Sequence, residues 1–348
     1  MDQDLRASLD RFFRQLVEPA FIFNTDNIWP DAALEQLQGR DADFQIRFWT
    51  ALEQHLKEKE QTLGHIHKGD IYWFLAILYL GQGDLTKTIE HLDSSVHEDR
   101  QKGRTFSAAI GLSSMLKPLV YHFRKDALEF DHEIMEFYES LSSGEKREFA
   151  ERLVATHQQV GRGGMAVIPD EGFQFVVDPT IRRVVRDSYV ELKEILAART
   201  LPTYFSCLFS AGSILDGILD DLFSQHDQRV WRVFHSDADI QREVENDIRL
   251  RAPDYNASLF LGRKLKVLRL LAERRISPVP KVPILQMLII AEYRNLIHTK
   301  RRMEFAFEVN WYVAACILTF INQIASHWTR NGEPGARPPD RRALTGDW

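Results

Sequence analysis

An all-α fold is what this sequence predicts, and three observations carry it. Apolar residues recur at helical spacing along most of the chain, turn formers punctuate those runs at helix-length intervals, and β-prone residues cluster in one short stretch only. The 348 residues suit two domains, or an extended helical assembly with an end module, and 44% hydrophobic with 27% charged residues marks an ordinary globular chain.

Taken in order, residues 4–18 and 44–60 read as amphipathic helices, parted by a loop holding Asn24, Asp26, Asn27, Trp29 and Pro30. Two apolar helical runs then flank Gly81-Gln82-Gly83-Asp84, which predicts a helix-turn-helix with small residues at a close crossing. Further helices are expected at 105–124, 126–142 and 144–158, the last opening at Ser142-Ser143-Gly144-Glu145, a plausible cap. The glycine cluster at 161–164 and the β-prone runs Met165–Ile168 and Phe173–Val177 predict a small β-hairpin and a domain boundary. Beyond Pro179, helices are expected at 180–198, 203–225, 236–250, 258–276, 283–300 and 304–328, and the Pro, Gly and Arg of the tail predict disorder.

The hairpin's Tyr72, Leu75, Ala76 and Tyr79, with Gly83 at the turn and Thr88, Leu92 and Ser95 beyond it, resemble one degenerate tetratricopeptide repeat over about thirty residues. Several expected small residues are replaced, and a generic helical hairpin accounts for the pattern as well. The domain organisation expected is therefore a helical-hairpin module over 1–160, a hairpin linker over 161–179, a helical domain over 180–328 and a tail over 329–348.

The opening MDQDLRASLDRFF is acidic and lacks the apolar core of a secretion signal, so a cytoplasmic location is expected. The longest apolar stretch, Trp311 to Ile321, is about half of the ~20 residues that cross a bilayer, and Asn310 and Asn322 bracket it. Cys207 and Cys316 both fall in apolar helical patterns and read as small core residues.

In VPILQMLIIAEYRNLIHTKRR, apolar residues point in nearly every direction from Ile284 to Ala291, which predicts an interior helix. Arg294 and His298 then share a face one turn apart, continuing into Met287 and Ile290. Arg294, Asn295 and His298, with the helix SAGSILDGILDDLF about eighty residues earlier, give residues 180–328 a likeness to the HEPN superfamily. Nuclease members of that superfamily carry an Arg followed within a few residues by His, often with a polar residue directly after the Arg. The resemblance implies a compact bundle, a homodimer whose paired motifs form one cleft, and in active members a metal-independent RNA endonuclease of the toxin or phage-defence kind. Three residues separate Arg294 from His298, a shorter gap than the family's catalytic pattern usually has.

The residue types suit that chemistry. Imidazole titrates near neutrality and can take the 2′-hydroxyl proton or protonate the leaving oxygen, which makes His298 the candidate acid/base. Guanidinium stays charged in a partly dry cleft and holds two phosphate oxygens with its planar fork, the role open to Arg294, with Asn295 as an orienting group. Charge adds to this. Residues 258–302 hold eleven Lys or Arg against Glu273 and Glu292, in a chain whose net charge is −6. Within or beside that segment, Arg263, Lys266, Arg269, Lys300, Arg301 and Arg302 are the expected phosphate contacts.

Other readings stand beside these. Arg294, His298 and Lys300 to Arg302 also fit the end of a helix, where cations offset the dipole. The basic 258–276 segment also fits an internal charge match with the acidic 216–254 region, and Asp216 alone could face the motif. Gly161 to Gly164 lacks the Gly-Lys-Ser/Thr of a phosphate loop and reads as a turn. His65-Ile66-His67 and Asp131-His132-Glu133 lack zinc spacing, so neither a metal nor another cofactor is expected. The expected partners are a second copy, RNA and a regulatory protein at the first half; a non-catalytic dimeric scaffold is the alternative.

Overall fold

The computed structural model describes residues 3–15, 36–103, 109, 112–113, 115–116, 129–161, 170–198, 204–225, 230, 238–242, 260–295 and 311–331. Among them every regular element is helical and no strand occurs. The chain divides into two compact units, Met1–Ser113 and Ser114–Trp348.

In the first unit lie α1 (Gln3–Gln15), α2 (Ala42–Leu63), α3 (Gly69–Gln82) and α4 (Leu85–Gln101). Helix α2 begins where the Asp41 carboxylate accepts from the Phe44 N–H at 2.7 Å, relieving one of the first-turn donors. Leu5, Leu9 and Phe12 of α1 meet Phe48, Trp49 and Leu52 of α2 in one buried cluster, and the Trp49 ring stacks on Phe74 of α3 at 4.7 Å. The expected hairpin is α3–α4. Gly83 closes α3 at φ 80°, a left-handed conformation that glycine adopts without Cβ strain, and the Asp84 carboxylate then caps α4 through the Lys87 N–H. Leu75, Ala76, Thr88, Leu92 and Ser95 are all buried along the crossing, and the Ser95 hydroxyl donates to the Gly69 carbonyl at 2.8 Å.

The second unit contains α5 (Glu129–Glu139), α6 (Ser143–Gly161), a 3-10 turn (Asp170–Phe173), α7 (Pro179–Ala198), α8 (Tyr204–Gln225), α9 (Leu261–Glu273), α10 (Lys281–Asn295) and α11 (Trp311–Asn331). The expected boundary at 160 falls inside this unit, because α6 packs on α10 and α11. Phe149, Leu153 and Thr156 give α6 a buried face. The Gln286 amide donates to Gln323 at 2.5 Å, and the Gln323 amide donates to the Thr156 hydroxyl at 3.0 Å, so polar groups interior to the bundle satisfy one another across three helices.

The second arm of the expected β-hairpin, Phe173–Val177, is not a strand: Phe173 ends the 3-10 helix, a turn follows at Gln174 and Phe175, and Val176 and Val177 are irregular. Its amides find other acceptors. Val176 N–H donates to the Phe173 carbonyl, while Val177 and Asp178 N–H donate to the buried Asp221 carboxylate at 3.0 and 2.8 Å. A side-chain acceptor thus replaces the ladder partner a strand would need. The first arm, Met165–Ile168, lies outside the described residues, as does nearly all of the tail expected at 329–348.

No helix among the described residues is long and apolar enough to cross a membrane. Cys207 and Cys316 are buried thiols, both pushed up in pKa by burial, Cys207 to about 12.

Candidate functional site

Helix α10 is interior over nearly its whole length: Val282 through Met287 and Ile289 through Tyr293 are buried. That burial follows from apolar residues facing all sides. Arg294 and Asn295 are its last described residues and are half-buried, directly after the buried stretch that ends at Tyr293. His298, Lys300, Arg301 and Arg302 lie outside the described residues.

Helix α8 supplies the floor under Arg294. A Cβ built on Gly212 would stand 2.4 Å from Arg294 Cγ, 3.2 Å from its Cβ and 3.4 Å from its Cδ. The aliphatic stem therefore lies directly against the bare backbone of α8, an approach that any other residue at 212 would block. Gly217 does the same for α7, where a Cβ would stand 2.6 Å from a Val185 methyl carbon. Among the described residues no hydrogen bond or ion pair engages the Arg294 guanidinium.

The basic segment resolves into distinct environments. Lys264 on α9 is only 1% exposed, and its ammonium lies 2.7 Å from Asp216 and 2.6 Å from Asp220, which stand one turn apart on α8. The internal charge match is thus realised here, and Asp216 is engaged with Lys264. Arg269, one of the expected phosphate contacts, is buried at 8% exposure with Glu273 3.8 Å from its Nε, which corrects its assignment to the surface. Its position on α9 among Val267, Leu268, Leu270 and Leu271 takes it into the core with them. Arg263 and Lys266 are half-buried, Arg263 lying 6.0 Å from the centre of the exposed Phe260 ring.

A second charged cluster, in the first unit, was not foreseen. Lys68, 4% exposed, binds the Glu60 carboxylate, donates to the Ile66 carbonyl at 2.8 Å and lies 3.6 Å from Glu98. Burial pushes the Glu60 carboxyl up, but the hydrogen bonds from Lys68 and the Ile66 N–H, with the Lys68 and His65 charges, outweigh it and hold the group below the usual range. His65 reaches Glu60 at 3.3 Å and Glu98 at 3.2 Å, whereas His67 faces Asp99 at 3.7 Å, so the two imidazoles of His65-Ile66-His67 serve different carboxylates. These contacts tie the α2–α3 connection to α4. The side chains of Asp131, His132 and Glu133 lie outside the described ones.

Sequence reasoning missed Gly212 and the exposed Phe209 three residues before it. Two glycines five apart inside one helical pattern, at a cost of about 1 kcal/mol each against alanine, were the available signal of close backbone approach. No known protein family, curated protein or solved structure matches the chain.

Proposed function

We propose that residues 180–328, within the second unit, form a HEPN-like domain that cleaves RNA without a metal ion, acts as a homodimer and belongs to the toxin or phage-defence kind. The observation that carries this reading is Arg294. It follows the buried stretch of α10 with its stem seated on Gly212, while no described residue pairs with its guanidinium. The packed stem fixes where the guanidinium emerges, and a guanidinium that no described residue engages can hold two oxygens of an incoming phosphate with its planar fork.

In the mechanism, His298 takes the proton of the ribose 2′-hydroxyl, and the 2′-oxygen attacks phosphorus. The bond to the 5′-oxygen breaks, and that oxygen takes the proton back from the protonated His298, leaving a 2′,3′-cyclic phosphate and a 5′-hydroxyl. Arg294 stabilises the charge gathered on the phosphorane oxygens, and Asn295 orients the ribose, a base or the partner's motif. The first unit, tetratricopeptide-like in its α3–α4 hairpin, serves as the surface for a regulatory protein.

A second reading, a non-catalytic dimeric scaffold, is favoured by the fate of the basic segment. Lys264 is spent on Asp216 and Asp220, and Arg269 is buried, so two of its cations are withdrawn from solvent. Incubating purified protein with mixed RNA in excess chelator decides between them. Cleavage leaving cyclic phosphate ends, abolished by His298→Ala and Arg294→Ala in folded protein, supports the ribonuclease. Intact RNA from a folded dimer supports the scaffold.

A further inference from the structure

Between the α5–α6 and α9–α10 connections lies a cavity of about 510 Å³, whose lining includes Leu141, Ser142, Arg275, Ser277, Val279 and Lys281. That volume falls in the range of small-molecule sites. Two of the lining residues stand where local physics disfavours them. Arg275 follows the end of α9: its N–H donates to the Ala272 carbonyl and the Ile276 N–H to the Leu271 carbonyl, a helix stop whose central residue is left-handed. Glycine takes that conformation freely, yet here Arg275 takes it at φ 61°, the one non-glycine residue with positive φ among those described. Lys281 opens α10, where the positive end of the helix dipole favours an acidic residue, and the first turn of α10 has none. Residues set against local preference that gather at one cavity point to a function that outweighs the cost. The polar groups of the lining divide by what they already do. The Lys281 ammonium donates to the Ser140 carbonyl at 2.9 Å, which joins the two connections and fixes that charge at the cavity wall. Among the described residues no hydrogen bond or ion pair engages the Arg275 guanidinium. The Ser277 hydroxyl accepts from the Val279 N–H at 3.0 Å, which leaves its own proton to donate. Glu145 is the one carboxylate among the described lining residues, and the Ser142 N–H and hydroxyl already donate to it at 2.7 and 2.8 Å. The balance of the cavity is therefore positive.

We infer that this cavity binds a phosphate group, free or at the end of a small phosphomonoester, with Arg275 as the fork, Lys281 as the second charge and Ser277 as a further donor. A guanidinium meets two phosphate oxygens with paired N–H bonds, and an ammonium adds charge without demanding one geometry. A bound anion also relieves the conflict at Lys281, since it offsets both the ammonium and the positive end of α10. The site is separate from Arg294 and independent of the ribonuclease reading.

The test titrates the full chain calorimetrically with inorganic phosphate, ribose 5-phosphate and ribose, and follows thermal unfolding without ligand. The wild-type chain binds the two phosphate-bearing probes and not ribose, and the tighter of the two tells whether the site takes the free anion or a phosphomonoester. Arg275→Gly weakens that binding about 10- to 150-fold, the span of a hydrogen bond to a charged group. The same change raises the unfolding midpoint by about 2–4 °C, because glycine removes the left-handed strain. An arginine that served the fold would lower the midpoint instead. Arg275→Lys, which keeps the charge without the fork, binds between the two. No binding of either phosphate probe by the wild-type chain overturns the inference, as does equal binding by Arg275→Gly or a midpoint that falls in that variant. Binding that survives Arg275→Gly and is lost in Arg294→Ala places the phosphate at the α10 motif, which overturns this site and leaves the ribonuclease reading standing.

Discussion

Replacing Gly212 by alanine tests the packing that sets Arg294. The added methyl would stand 2.4 Å from Arg294 Cγ and 3.2 Å from its Cβ. Carbon atoms rest at about 3.5–4.0 Å, so the stem must retreat by about 1 Å or more. Cβ is bound to the α10 backbone, so the strain is met by an off-rotamer stem or by parting α10 from α8. Overpacking of this kind costs about 1–3 kcal/mol, against which alanine returns about 1 kcal/mol of helix propensity. The expected net loss is about 0–2 kcal/mol, a fall of at most about 8 °C in a unit of this size. In an Arg294→Ala background the 2.4 Å clash with Cγ is gone and only the 3.2 Å approach to Cβ remains, so the same change should cost clearly less, or stabilise by up to about 1 kcal/mol if the two Cβ atoms can part by a few tenths of an ångström. Thermal unfolding of the four proteins in this cycle reads the coupling directly. If Gly212→Ala has the same effect with and without the Arg294 stem, the stem does not lie on Gly212 and the reasoning fails. Under the ribonuclease reading, a 1 Å displacement of the clamp also lowers turnover by up to about 100-fold while the fold persists.

Three further outcomes are expected. Asp221→Asn keeps the shape but leaves one of the Val177 and Asp178 amides facing an NH2 group, so urea unfolding should show a loss of about 1–3 kcal/mol, with faster hydrogen exchange at both amides. Asp216→Asn combined with Asp220→Asn strands the buried Lys264 ammonium and should cost toward the lower end of roughly 3–5 kcal/mol, since both carboxylates are partly solvated; Lys264→Met, which removes the charge and keeps the volume, should cost clearly less in the same denaturation assay. His91, stacked on Tyr79 at 5.3 Å, has its pKa lowered from 6.5 by burial, so its contribution to stability is complete above about 6.5 and is lost as pH falls through the lowered value in the folded state. His91→Phe keeps the stack and should flatten that acid-side loss; an unchanged pH profile of the unfolding midpoint would show that His91 does not carry it.

The helices were legible because their signals are local. Apolar spacing, the turn at Gly83 and the Ser142 cap, whose hydroxyl accepts from the Glu145 N–H at 3.3 Å, act within a turn or two, and the all-α reading needed nothing further. The interior character of α10 was equally plain, since apolar residues on every side of a helix leave no solvent face. The motif itself was visible as residue types in order, Arg294 and Asn295 before His298. What surrounds Arg294 was not visible, because Gly212 is some eighty residues distant and its effect exists only where two backbones meet.

The limits of local reading are sharpest where one residue type has several fates. Arg263, Lys264, Lys266 and Arg269 count alike as positive charge in the sequence, yet Lys264 is buried against two aspartates and Arg269 lies in the core. Phe173–Val177 has strand-forming residues, but a strand requires a neighbouring ladder, and the Asp221 carboxylate took its amides instead. Helix 143–161 was assigned to the first module by its place in the chain, whereas its buried face and Thr156 bind it to α10 and α11. The sequence by itself determined the all-α class, the turn at Gly83 and the interior character of α10, since those depend on neighbours within a few residues; most of the helices expected at 105–124 and 236–250 lies outside the described residues. Only the tertiary structure decided which charges remain for a ligand, where the unit boundary falls and what Arg294 rests on, because each depends on residues distant in the chain that come together on folding.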